Sequence, residues 1–244
     1  MRNVIVTGGS RGLGLSIASQ LASAGYRVIA VARKSTPELA SAALAAASSQ
    51  AGAIEFRSFD LTELNGIAGF IRGLRKEFGG IYGLINNAGI GTGGILGNMR
   101  IDDIESLVRL NTIAPIVLTK YVSRSMMTER TGRIVNISSV VALTGYTGLS
   151  VYSATKASLV GFTRSLAREI GQFGITVNAI APGFIDTDMT QELGDEQRAR
   201  IMRRSALKRM PDAIDVARSV EFLLSEAGRN ITGTVLTVDA GNTA

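Results

Sequence analysis

The sequence predicts an α/β fold: one doubly wound parallel sheet of about seven strands, in the order 3-2-1-4-5-6-7, with helices on both faces. Three observations predict it. Short β-rich apolar runs alternate with segments of helical period along the whole chain. The first of these runs ends in a glycine-rich loop that opens directly onto a helix. At 244 residues the chain has the length of one large α/β domain, so residues 1–244 are expected to form a single unit. Right-handed crossovers between parallel strands then place helices on both faces.

Asn3-Val4-Ile5-Val6-Thr7 is the first strand, and Leu13, Ile17, Ala18 and Leu21 mark the helix that follows. The loop between them reads Thr7-Gly8-Gly9-Ser10-Arg11-Gly12-Leu13-Gly14, a G-x-x-x-G-x-G spacing. Glycine lets the backbone turn tightly and approach a pyrophosphate at the amide-rich start of the helix, although a simple turn would use the same residues. This is the dinucleotide-binding, or Rossmann, arrangement. The second strand, Arg27-Val28-Ile29-Ala30-Val31-Ala32, ends at Arg33-Lys34. An NAD site wants an acid there for the ribose 2′-hydroxyl; two cations, with Arg11 as a neighbour, suit the 2′-phosphate of NADP instead.

An alanine-rich helix over about 37–50 and a strand Ala53–Ser58 lead to Asp60-Leu61. A helix over about 62–78 and a strand Tyr82–Ile85 follow, and the strand ends in Asn86-Asn87-Ala88-Gly89, beside the glycine loop where the strand order reverses. One long helix is expected over about 101–127, with Asn111 inside it. The fifth strand, Gly132–Ser138, delivers Ser139 at its C-terminal end. The next helix carries Tyr152 and Lys156, four residues apart and therefore on one face. A phenol beside an ammonium group is a candidate general acid, because the positive charge favours the phenolate. A functionless pair on a helix surface has the same spacing. The sixth strand, Gly174–Ile180, runs into Pro182-Gly183-Phe184-Ile185-Asp186-Thr187. A helix over about 213–224 and a strand over about 234–238 close the fold.

Composition narrows the chemistry. There is no cysteine and no histidine, which excludes disulfides and thiol nucleophiles and removes the commonest metal ligand and general base. Acid–base work falls to Tyr, Lys, Asp or Glu, and no metal site is expected. The opening residues contain no apolar run long enough for a signal peptide, and no run of about 18 apolar residues occurs, so a soluble cytoplasmic protein is expected. The formal charge is +6, and the basic residues are scattered except for Arg198, Arg200, Arg203, Arg204, Lys208 and Arg209. That cluster reads either as a solvated helix face or as a docking edge for an acidic or phosphate-bearing carrier. Nucleic acid is not the expected partner, because no aromatic residues interleave with the charges.

Taken together, these ordered motifs resemble the short-chain dehydrogenase/reductase family over nearly the whole chain. The resemblance implies that Asn111, Ser139, Tyr152 and Lys156 form the catalytic tetrad. It implies that Gly8, Ser10, Arg11, Gly12, Leu13 and Gly14, then Arg33, Lys34, Asp60, Leu61, Asn87, Ala88 and Gly89, bind NADP(H). Tyr152, Lys156, Pro182, Gly183, Ile185 and Thr187 would hold its nicotinamide end. Residues 188–210 resemble the family's substrate lid, with Gly194 and Pro211 suited to hinges. In this scheme Tyr152 protonates a ketone oxygen, Ser139 hydrogen-bonds that oxygen, and Lys156 holds the ribose and lowers the Tyr152 pKa. Asn111 positions a water leading to solvent.

The segments 152–157, 165–169 and 182–189 are similar to the subgroup that reduces 3-oxoacyl thioesters on acyl-carrier protein. Arg130 matches one of its carrier-docking positions, but Gln172-Phe173 stands where a second arginine is usual. Carrier docking on the 198–209 cluster, or a free ketone, sugar or hydroxy-acid substrate, therefore stand as alternatives, as does a cofactor-binding regulator without turnover. A homotetramer built through the last strand and the Asn111 and Tyr152 helices is the family expectation.

Overall fold

The computed structural model describes residues 1–185 and 194–244. Seven parallel strands form one sheet in the order β3-β2-β1-β4-β5-β6-β7, as the sequence predicts. They are β1 (Asn3–Thr7), β2 (Arg27–Ala32), β3 (Ala53–Ser58), β4 (Ile81–Asn86), β5 (Gly132–Ile137), β6 (Ile175–Pro182) and β7 (Val235–Val238). The helices are α1 (Gly12–Ser23), α2 (Pro37–Ser49), α3 (Ile67–Phe78), α4 (Ile101–Val108), α5 (Ala114–Glu129), α6 (Ser150–Ile170), α7 (Asp195–Arg204) and α8 (Ala213–Leu224).

Alternation along the strands divides the core. Val4 and Val6 of β1 join Val28, Ile85 and Val135 under α1 and α8, where Ile17, Leu21, Val216 and Leu223 are buried. Ile5, one residue out of phase, joins Ile29, Leu84 and Ile134 under α3, α5 and α6, with Leu74, Leu118, Val122 and Leu166. Burial on both faces explains why these strands read as continuous apolar runs. Ile5 pairs with Ile29 of β2 on one side and Leu84 of β4 on the other. The tips of β1 and β4 therefore lie side by side at the point where the winding reverses, which is where a doubly wound sheet binds ligands.

Two helix expectations need correction. The stretch over 62–78 begins with a 3₁₀ turn, Leu64–Gly66, and becomes α-helical only at Ile67; Asn65 and Gly66 are poor helix formers. The helix expected over 101–127 is broken by a π-turn at Arg109–Ile113, with the Ala114 N–H bonded to the Arg109 carbonyl. Pro115 is the physical reason. It has no N–H to give to the carbonyl of Asn111 or of Leu110, so the regular ladder cannot run through.

Candidate active site

Glycines shape the first wall of the site. Gly8 and Gly12 adopt φ of +66° and +53°. A Cβ on Gly14 would lie 2.0 Å from the Gly8 carbonyl oxygen, so only glycine lets α1 start this close to the loop. No side chain caps the first turn of α1, which leaves its amides free to face an anion. This cradle fits a dinucleotide pyrophosphate. At the tip of β2, Arg33 and Lys34 are both exposed. Asp60 accepts from the Thr62 N–H at 2.9 Å and the Thr62 hydroxyl at 2.7 Å. These bonds, aided by Arg33, hold its carboxyl below the usual range, so it stands ionised as an acceptor beside the two cations.

The tips of β1 and β4 are locked by a residue that the sequence reading did not single out. The Thr7 hydroxyl donates to the Ile85 carbonyl at 3.1 Å and accepts from the Asn87 and Ala88 N–H groups at 2.9 and 3.0 Å. Asn87 Nδ2 donates to the Thr7 carbonyl at 2.9 Å. The hydroxyl ending an apolar strand was the available signal. Asn86 points the other way, into a buried ladder with Thr119, Asn136 and Thr163 that ties β4 and β5 to α5 and α6.

The four predicted catalytic side chains converge at the C-terminal ends of β4 and β5. Asn111 is 1% exposed on the π-turn, which settles it as an interior group. It exchanges two hydrogen bonds with the Ile90 backbone and donates a third to Thr155 Oγ1 at 3.2 Å. Lys156, 5% exposed, donates to the Ile137 carbonyl at 2.9 Å. Gly89 closes the gap between these groups: a Cβ there would stand 3.1 Å from Asn111 Oδ1 and 3.5 Å from Lys156 Nζ. Ser139 caps a 3₁₀ turn, accepting from the Val141 N–H at 3.4 Å, and hydrogen-bonds Tyr152.

The electrostatics depart from expectation in one respect. Tyr152 is half-buried, yet the protein packed around it pushes the phenol up to about 12, outweighing the Ser139 hydrogen bond that lowers it. Lys156 is pushed down to about 8 by burial. Its ammonium lies 5.7 Å from the Tyr152 ring centroid and is spent on the Ile137 carbonyl. Burial is the largest cause at both groups. Tyr152 is a protonated donor at neutral pH.

The remaining predicted positions are distributed around this centre. Ser10 offers its carbonyl to the Thr36 hydroxyl at 2.7 Å, bracing the glycine loop against α2. Arg11 is exposed beside it and Leu13 packs on the core. Leu61 is buried under α3. Pro182 ends β6; Gly183 lies against Asp239, where a Cβ would come within 2.8 Å, and the Ile185 side chain is in the core. Thr187 and residues 188–193 of the expected lid lie outside the described residues. α7 and the turn after it supply the rest of that segment, and Gln197 Nε2 donates to the Tyr146 hydroxyl at 3.0 Å.

Comparison with known proteins agrees with this geometry. The family model for short chain dehydrogenase matches residues 2–198. The 3-oxoacyl-[acyl-carrier-protein] reductase FabG of Haemophilus influenzae is 41% identical over 237 residues, covering 97% of this chain and 96% of that protein. FabG of Escherichia coli is 39% identical, covering 97% and 95%. Among solved structures, a blue fluorescent protein from a metagenomic library, in complex with NADPH, superposes with a TM-score of 0.92 at 32% identity, covering 100% of this chain and 98% of that one. The chain therefore belongs to the short chain dehydrogenase family.

Proposed function

We propose that the protein is an NADPH-dependent reductase of 3-oxoacyl thioesters carried on acyl-carrier protein. The observation that carries the chemistry is the convergence of Ser139, Tyr152, Asn111 and a buried Lys156 at the ends of β4 and β5, with Lys156 Nζ 5.7 Å from the Tyr152 ring centroid. The substrate class is supported by about 40% identity over nearly the full length to the FabG reductases. NADPH, when bound, supplies the hydride for the ketone carbon.

The residues do the rest. Ser139 donates a hydrogen bond to the ketone oxygen and stabilises the charge that develops there. Tyr152 gives that oxygen its proton as general acid. Lys156 holds the nicotinamide ribose and returns a proton to Tyr152, with Asn111 positioning a water that links Lys156 to solvent. Gly8, Gly12, Gly14 and the first turn of α1 hold the pyrophosphate, Arg33 and Lys34 the 2′-phosphate, and Asp60 the adenine side. Ala88 and Gly89 line the nicotinamide side, with Pro182, Gly183, Ile185 and Thr187 at the carboxamide.

The same reading has the enzyme working in the cytoplasm as a homotetramer, a state supported by the exposed apolar Ile113 on the π-turn, Ile116 on α5 and Phe222 on α8. Among the described residues no helix is long and apolar enough to cross a membrane. The test is NADPH oxidation, with NADH in parallel, on acetoacetyl-acyl-carrier protein and on a small acetoacetyl thioester. Turnover with NADPH supports the assignment; reduction of free ketones alone would replace the substrate class, and binding of NADPH without any turnover would remove the enzyme reading.

A further inference from the structure

α7 is a basic helix held at both ends. Its C-terminal end is seated on the turn after β7: the Ala206 and Leu207 N–H groups donate to the Gly241 and Ala240 carbonyls at 3.2 and 3.1 Å. Asn242 Nδ2 reaches both the Ile201 carbonyl and Ser205 Oγ at 3.2 Å. Its first turn meets the catalytic loop through Gln197 and Tyr146, a residue that lies in the chain between Ser139 and Tyr152. Ile201 faces the protein and is buried.

The other side of the helix faces solvent. Arg200, Arg203, Arg204, Lys208 and Arg209 are all exposed, and none is in an ion pair among the described residues. The acids on the element, Asp195 and Glu196, sit in its first turn. Asp212 and Asp215, just beyond, are committed to each other's capping box at the start of α8. Exposed Met202 and Leu207 interleave with the cations. Five like charges within ten residues repel one another. The C-terminal dipole of α7 favours only those in its last turn. Arg130 offers far less: its guanidinium donates to the Gln172 carbonyl at 3.2 Å and lies over the Phe173 ring.

We propose that the exposed cationic edge of α7 and the turn after it, Arg200 to Arg209, docks the acidic surface of an acyl-carrier protein. This rests on the 3-oxoacyl reading above. Charge complementarity selects the partner, Met202 and Leu207 add apolar contact between the cations, and the seat of α7 beside Tyr146 brings the carrier to the mouth of the site.

The test combines binding and kinetics on the full chain. Binding of an acidic acyl-carrier protein to the wild-type enzyme is measured by calorimetry at two salt concentrations. The same measurement is made on Arg200→Glu/Arg203→Glu and on Arg130→Glu, with thermal melts to establish that each variant folds. Carrier binding should weaken about tenfold or more in the double variant, fall with salt, and change less in Arg130→Glu. Acetoacetyl groups on carrier, on coenzyme A and on N-acetylcysteamine are then compared: KM should rise for the carrier-bound substrate only. Carrier binding that is absent in the wild type or unchanged in the double variant overturns the proposal. So does a KM that rises equally for the coenzyme A thioester, which would make its phosphates the ligand. If the wild type binds carrier but turns over none of the three thioesters, the docking surface stands and the substrate reading fails.

Discussion

Asn111 and Ile90 are joined by a closed pair of hydrogen bonds: the Ile90 N–H donates to Asn111 Oδ1 and Asn111 Nδ2 donates to the Ile90 carbonyl, both at 2.9 Å. The pair fastens the π-turn to the loop after β4, directly behind Gly89 and Lys156. Asn111→Leu leaves both Ile90 backbone groups without their partner in a partly buried loop. Each should cost about 1–3 kcal/mol. Urea unfolding should show a loss of about 2–6 kcal/mol for the two groups together, with a fall in kcat; unchanged stability would mean that the pair does not form in solution.

Tyr152→Phe removes the transferable proton and little else. Turnover should fall by about 10²–10⁴-fold, the scale of a lost general acid. NADPH affinity, followed by fluorescence titration, should change by less than about threefold. Retention of most of the wild-type kcat would assign the proton to another group.

Arg33→Ala tests cofactor choice. Arg33 ends β2 in the open, and its carbonyl, fixed by the Ser58 hydroxyl at 2.8 Å, sets the direction of the chain there. Removing the guanidinium should raise the Kd for NADPH by about tenfold or more and leave NADH within about twofold, since only the 2′-phosphate is lost as a partner. An equal loss for both cofactors would show that Arg33 shapes the loop and does not read the phosphate.

The pH dependence of stability follows from Lys156. In the folded protein it holds its proton only up to about pH 8, against 10.5 in the unfolded chain. Between these values the unfolded state binds more protons, so this lysine makes stability rise with pH across that window. The whole effect is on the order of 3 kcal/mol. Tyr152 acts in the opposite sense at higher pH, since it keeps its proton to about 12 when folded and to 10.0 when unfolded. Urea unfolding of the cofactor-free protein should show wild type gaining stability relative to Lys156→Met as pH rises from 8 to 10, because the cost of the buried ammonium is relieved. A difference independent of pH would place the lysine in contact with water.

The sheet and most of the site were legible because their signals are local. Strand runs such as Val4-Ile5-Val6 carry their own pattern, and the glycine loop must follow a strand and open a helix to work at all. Helical spacing put Tyr152 and Lys156 on one face, and the order of the other motifs singled them out. What escaped depends on distance or on context. The Thr7 hydroxyl acts on residues about eighty positions away, and the Tyr146–Gln197 bond joins residues 51 apart. The π-turn was written in Pro115, but a proline in an amphipathic stretch also suits an ordinary kink. The direction of the Tyr152 shift needed the packing around the ring, because neighbouring charge and burial pull a phenol in opposite directions.

The π-turn also sets how this chain can tolerate a deletion. Such a turn holds one residue more than the α-helical path between the same two ends. Removing a single residue from Arg109–Ile113, Leu110 for instance, would take out that extra residue while Pro115 still interrupts the ladder, so α4 and α5 would meet at an ordinary proline kink. Every residue before the cut would then be turned by about 100° relative to those after it, and Asn111 could no longer face Ile90 and Thr155 with both helices seated. Alignment gaps at this point would therefore mark relatives in which the Asn111–Ile90 pair is lost.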